Sequence, residues 1–256
     1  MMNQATRGII ALLVCIIGVH AFYEVVVRPN ARMIEQMVIA GNAEMQRSIW
    51  IIMKDFEQEA CLILMLWAIY LIVEKILEIT KTNYLFDVDF MKDTEMSKDG
   101  LKESINDLDS LASPLDKAPL IKVMKSSMRR FLVSNDIHSM SEVVESEINA
   151  LAAKNEAGNS MIRYLIWAVP SIGFIGTVRG IGEALSKADQ ALAGDISGMT
   201  SSLGVAFNST LVALFISIIL MFLLHQLQKI QDDLAVSVNS YLQEKVLDRL
   251  SSAQMQ

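Results

Sequence analysis

Four stretches of this sequence are apolar over nearly their whole length: residues 8 to 27, 59 to 79, 163 to 185 and 202 to 226. Each is close to the ~20 residues that a helix needs to cross a hydrocarbon core. Hydrophobic residues make up 52% of the 256 and there are only four prolines, a balance that favours helices in a bilayer over a soluble globule. The predicted fold class is therefore an all-α membrane protein with four transmembrane helices. The first block follows Arg7 and is longer than the apolar core of a signal peptide. No small-x-small cleavage pattern closes it before Arg28, so it is read as a retained helix.

Several function classes find no support. The two cysteines, Cys15 and Cys61, lie inside apolar blocks and behave as small hydrophobes. His20, His138 and His225 are scattered, with no metal-ligand spacing. No P-loop, GxSxG elbow or HExxH helix is present, so no enzyme, no cofactor and no resident metal are expected. A net charge of -7 argues against nucleic acid.

Basic residues set the expected topology, because they stay on the cytoplasmic side. Residues 80 to 162 carry ten Lys and Arg, against four between the first two blocks (Arg28, Arg32, Arg47, Lys54) and one, Lys187, between the last two. The long middle segment and the tail bearing Lys229, Lys245 and Arg249 are placed inside, with both termini cytoplasmic. The chain divides on this reading into 1–79, a two-helix membrane region with a short outward connector; 80–160, a cytoplasmic helical region; 161–228, a membrane hairpin; and 229–256, a cytoplasmic helix.

The middle segment reads as helix rather than linker. "SKDGLKESINDLDSLA" and "PLIKVMKSSMRRFLVS" space their apolar residues helically, with Pro114 and Pro119 marking the break. Ser139 followed by Glu142 has the form of a capping box, which predicts one helix running from about Ser139 into the third block. "LAVSVNSYLQEKVLDRL" extends the fourth block inward. Residues 29 to 58 read as an outward helical element, as extensions of blocks one and two, or as a plain connector. Arg129 and Arg130 suit a solvated helix face, and Glu74 and Lys75 suit interfacial anchors.

Blocks three and four are joined by 15 residues, "SKADQALAGDISGMT", so they are expected to be antiparallel neighbours. At ~1.5 Å per residue, Thr177 lies ~10 Å from the end of block three near Glu183, and Thr210 ~12 Å from the start of block four at Ser202. Gly173, Gly176, Thr177 and Gly180 share one side of the third helix; Ala206, Thr210, Ala213 and Ser217 share one side of the fourth. Such faces allow close helix packing, with threonine bonding back to its own helix. The same hydroxyls could instead line a polar path, with Asn208, Ser209 and Ser217 beside them. A proton path needs a titratable group, and neither block has a carboxylate at that depth, so the acid is expected from a partner.

"GFIGTVRGIGEAL", a short loop and "GVAFNSTLVALFISIILMF" together resemble the MotA/TolQ/ExbB family, the channel subunits of ion-driven rotary motors in bacterial inner membranes. The similarity covers roughly residues 140 to 228, and its most specific parts are the GTV turn of helix three and the Ser-Thr pair of helix four. The resemblance implies a ring, usually a homopentamer, around a dimer of a single-span ExbD/TolR/MotB-like partner whose membrane aspartate faces the ring threonines. Thr177 matches the GTV threonine. Thr210 matches the helix-four threonine if a two-residue gap is allowed after Gly204. Phe207 and Asn208 stand where ExbB-like members have a glutamate, and four blocks stand where ExbB- and TolQ-like members have three spans, as in the MotA-like branch.

Arg179 with Glu183 one turn beyond is expected to neutralise itself at i, i+4 while both heads snorkel outward; the rival is a pair guarding the outer mouth of the path. The function so reached is an inner-membrane ion-channel subunit of a motor or stator, moving protons, with sodium left open. The alternative is a membrane scaffold that recruits partners through its cytoplasmic helices without conducting ions.

Overall fold

The structure, a computed structural model, describes residues 4–39, 48–92, 94–113 and 115–254. It is helical, with no strand among the described residues, and four of its helical runs are long and apolar enough to cross a membrane: Thr6–Met37, Phe56–Asp87, Ile137–Ser186 and Ser197–Ala253. The chain divides into two compact units, one of Met1–Val73 with Met161–His225, the other of Glu74–Ser160 with Gln226–Gln256.

In the first unit, α1 (Gln4–Phe22) passes through a π-helical turn at Tyr23–Val27 into α2 (Arg28–Ile39). The apolar block thus extends as helix into the segment from residue 29 onward. Residues 40–47 of that segment lie outside the described residues, and it resumes as the short α3 (Ile49–Met53), capped by Ser48. Next comes α4 (Phe56–Thr80), tied to α1 by a hydrogen bond from the Trp67 indole N–H to the Gly8 carbonyl at 2.9 Å. Val19, Tyr23 and Val27 make a small core with Trp50, Met53, Leu62 and Ile63. The opposite sides carry large exposed hydrophobics, among them Ile17, Trp167, Phe174, Phe215 and Phe222. An apolar exterior over four spans suits lipid and not water, which makes this a multi-pass membrane protein.

The second unit has a conventional core. A single turn at Asn83–Asp87 follows α4, then α5 (Lys98–Asp109), α6 (Pro119–Ser134) and α7 (Ile137–Gly158). Leu101, Ile121, Met124, Met128 and Met140 are fully enclosed there together with Val238, Leu242 and Val246 from the C-terminal end. Pro119 starts α6, where its missing N–H costs nothing, while Pro114 lies outside the described residues. Asn135 ends α6 in the left-handed conformation (φ 53°), its N–H donating to the Phe131 carbonyl at 2.8 Å.

The cap of α7 corrects the expectation from sequence. Asp136, not Ser139, is the N-cap, its carboxylate accepting from the His138 and Ser139 N–H groups at 3.1 and 2.9 Å. An aspartate closer to the Asn135 turn reaches both orphan amides, so the helix starts earlier and Ser139 is a donor within it. The run into the third block continues as expected, as one helical stretch from Ile137 to Ser186. Asn159, the single residue between α7 and α8 (Ser160–Ser186), keeps a right-handed backbone with its N–H on the Asn155 carbonyl at 3.0 Å, and its buried side-chain amide pairs with that of Gln231 at 2.7 and 3.4 Å. After α8 come the short α9 (Ala188–Leu192) and α10 (Ser197–Leu242), which continues through a π-helical turn at Gln243–Leu247 into α11 (Asp248–Gln254). Two contacts fasten this end: Tyr241 Oη donates to the Val88 carbonyl at 2.8 Å, and Arg249 pairs with Asp89 at 2.5 Å.

Candidate functional site

The site is built where α8 and α10 approach most closely, and glycine makes the approach possible. A Cβ on Gly173 would come within 2.5 Å of Ala213 Cβ, one on Gly176 within 2.5 Å of Ser209 Cβ, and one on Gly180 within 2.8 Å of Ala206 Cβ. The partners across the seam are therefore Ala206, Ser209 and Ala213, each buried.

Beside this seam the two threonine hydroxyls meet. Thr177 Oγ1 and Thr210 Oγ1 are hydrogen-bonded to each other. Thr177 Oγ1 also lies 3.2 Å from the Gly173 carbonyl of its own helix and 3.1 Å from the Ala206 carbonyl of α10. Thr210 Oγ1 lies 3.3 Å from the Gly173 carbonyl. Each hydroxyl has one proton to give, so when one donates to the other, the second is left a backbone carbonyl as acceptor. Four oxygens from two helices are thus gathered at one point, and the hydrogen bonds between them can run in either direction. Chemically the cluster can solvate a cation or pass on hydrogen bonding, but it holds no group that titrates near neutral pH.

The remaining polar residues of α10 are disposed differently. Ser209 lies against Gly176 and donates to its own helix at the Val205 carbonyl, 2.8 Å away. Asn208 is half-buried and, at ~100° per residue, points ~160° round the helix from Thr210; the structure does not bring it to the hydroxyl pair. Ser217 is on the seam but two turns further along, and its hydroxyl donates to the Ile166 carbonyl of α8 at 3.2 Å. That carbonyl needs a donor because Pro170, four residues on within α8, has no N–H to offer it. The Ser217 proton is thus engaged in mending the helix at the proline.

Arg179 differs most from expectation. Its contact with Glu183 is present at 3.0 Å, but its guanidinium also grips Glu57 of α4 in a fork, Nε to Oε1 at 2.7 Å and Nη2 to Oε2 at 2.9 Å. Glu57 is only 4% exposed, whereas Arg179 is 41% exposed at its side chain. The self-contained i, i+4 pair is therefore one arm of a three-residue cluster whose tighter arm crosses to α4. The Glu57 side chain also passes the seam: its Cγ methylene would be 3.0 Å from a Cβ on Gly176, the residue next to Thr177, while its carboxylate is held by Arg179. A second buried carboxylate, Glu59, accepts from Arg28 at 2.7 Å and lies 2.7 Å from His20 Nδ1. Neither acid stands out in the sequence: Glu57 falls in the 29–58 segment, which admits several readings, and Glu59 is the first residue of the second apolar block. Two glutamates at the start of an apolar run were the available signal, since charges at that position are costly unless they have partners.

The fold and the seam define a class, a multi-pass helical membrane protein whose last two spans pack closely and meet through paired hydroxyls. Residues 116–240 match the MotA/TolQ/ExbB proton channel family, and the chain carries a domain of that family. No curated protein and no solved structure matches the chain significantly.

Proposed function

We propose that this protein is an ion-channel subunit of an ion-motive-force-driven motor in a bacterial inner membrane, with both termini cytoplasmic. It acts as one member of a homo-oligomeric ring, a pentamer by the family resemblance, around a dimer of a single-span ExbD/TolR/MotB-like protein. It performs no covalent catalysis and uses no cofactor. The observation that carries this reading is the four-oxygen cluster of Thr177, Thr210 and the Gly173 and Ala206 carbonyls, on the two helices covered by the family match. Facing a partner's membrane acid, the cluster offers acceptors to the protonated carboxyl and donors to the ionised one, so it stabilises both states of the carrier. Proton is favoured over sodium because only two of the four oxygens are free to reorient, while a dehydrated sodium ion is better held by a larger oxygen shell.

The test is proton flux in vesicles containing the purified complex. Thr177→Ala and Thr210→Ala are expected to lower flux at least tenfold without changing the subunit ratio seen by native mass spectrometry, while Thr210→Ser retains most of it. Unchanged flux in both alanine variants of an intact complex sinks the reading.

A scaffold reading draws on one observation, that the Thr177 hydroxyl also lies within bonding distance of the Gly173 carbonyl in its own helix, as a packing threonine does. A purified homo-oligomer with no single-span companion would favour it.

A further inference from the structure

The hydroxyl pair leaves unused a group of polar side chains at the start of α4. Four polar atoms there have no protein partner: Tyr23 Oη, Asp55 Oδ2, and both Nε2 and Oε1 of Gln58. Tyr23 is 0% exposed and Gln58 1% exposed. Bare polar atoms in an apolar interior are expensive, and a concentration of four in one corner calls for a ligand.

These atoms belong to one locality. Asp55 and Gln58 are three residues apart in a turn closed by the hydrogen bond from the Glu59 N–H to the Asp55 carbonyl at 3.3 Å, so they share a side of the helix. Asp55 is within electrostatic reach of Tyr23, which itself lies within reach of Glu59 and Arg28, and of Lys54, Arg179, Glu57 and Glu183 on its other flank. The corner therefore lies among α1, α4 and α8.

The donor set decides what fits. Gln58 Nε2 needs an acceptor, Gln58 Oε1 and Asp55 Oδ2 need donors, and Tyr23 Oη can take either. An anion would satisfy the amide but meet Asp55, Glu57 and Glu59. A metal ion would satisfy the oxygens but face the amide N–H and two guanidinium groups. Water donates and accepts at once, and buried waters take two to four such partners.

We propose that Tyr23, Asp55 and Gln58 bind ordered water at the α4 end of the first unit, and that this water is the route by which protons reach the Thr177 side of α8. The second half rests on the reading of the threonine pair as the ion path. In the proposed topology this end faces outward. The water meets Asp55 there, and from Asp55 the polar groups run on through the Glu57 carboxylate to Arg179, two residues beyond Thr177 on α8.

Radiolytic hydroxyl labelling in ¹⁸O water, applied to the whole protein in its membrane, tests the site without reference to conduction. A radical formed from bound water labels the side chain beside it, so buried Tyr23 is expected to label at a rate within a few-fold of exposed Tyr84. Gln58→Leu should lower Tyr23 labelling at least fivefold, and Gln58→Glu, which stays polar, should retain it. An unlabelled Tyr23, or one indifferent to Gln58→Leu, overturns the site. The role is tested by flux in the same membranes, where Gln58→Leu is expected to reduce proton passage several-fold with the threonines intact. Lost labelling with unchanged flux overturns the route. Failure of the threonine variants to alter flux would instead remove the ion-path reading and leave the labelling result standing.

Discussion

Single residues along the α8 and α10 seam differ sharply in what they tolerate. Gly180 faces backbone: an added Cβ would be 2.7 Å from the Ala206 nitrogen and 2.8 Å from the Ser202 carbonyl oxygen, neither of which can turn aside. Gly204 has nothing within 4 Å of the same position. Gly180→Ala is therefore expected to destabilise the protein by about 1–3 kcal/mol, the usual cost of overpacking. Gly204→Ala should be neutral or slightly stabilising through helix propensity. Thermal melting of the detergent-solubilised protein distinguishes them. That both positions are glycine is plain from sequence; which one touches another backbone depends on helix rotation and separation, set by every contact along two helices at once.

At the scale of the helix, α8 carries a proline in its middle and still runs from Ser160 to Ser186. The Ile166 carbonyl, deprived of its donor by Pro170, receives the Ser217 hydroxyl instead. Ser217→Ala should cost about 1–3 kcal/mol, the desolvation penalty of an unpaired carbonyl. In a Pro170→Ala background, where residue 170 regains its N–H, the same change should cost much less. A double-mutant cycle on chemical denaturation reads the coupling; additive effects would show that Ser217 does not serve the proline gap. Helix existence and approximate depth were legible here because apolar block length and the lipid's demand for internal hydrogen bonding both point to helix. The pairing of Thr177 with Thr210 was legible too, as two hydroxyls at matching depths on small-residue faces. The engagement of Ser217 was not, since it depends on a gap in a different helix.

The whole molecule joins units with different physics. The membrane unit exposes its hydrophobics, while the other closes around a buried core and holds its outside with ion pairs and caps. In that second unit several carboxyls are held below their ordinary range. Burial would raise Asp89, but the Arg249 pair and the Met91 N–H outweigh it. Lys125 and Arg129 hold Asp109 down, and the Ser139 and His138 amides hold Asp136 down. The sign follows: these groups bind protons more weakly folded than unfolded. Their contribution is complete above the unfolded carboxyl value near ~3.9 and is lost as pH falls through the lower folded values. Hydrogen exchange of the full protein is expected to show amides of α6, α7 and α11 losing protection between about pH 4 and 2. Asp89→Asn should reduce that acid dependence at α11.

Residue order alone was enough to place this chain in a bilayer as four helices, to make its last two spans a close hairpin, and to put Thr177 and Thr210 at one depth. Those features follow from composition and from periods of one helix, which are local. It took the packing of separate helices to show that Arg179 is gripped by Glu57, 122 residues away, and that Glu59 is held by Arg28 and lies beside His20. The same packing makes Tyr23, Asp55 and Gln58 share a corner. Long polar side chains choose partners by the packing of separate helices, and no local period encodes that choice.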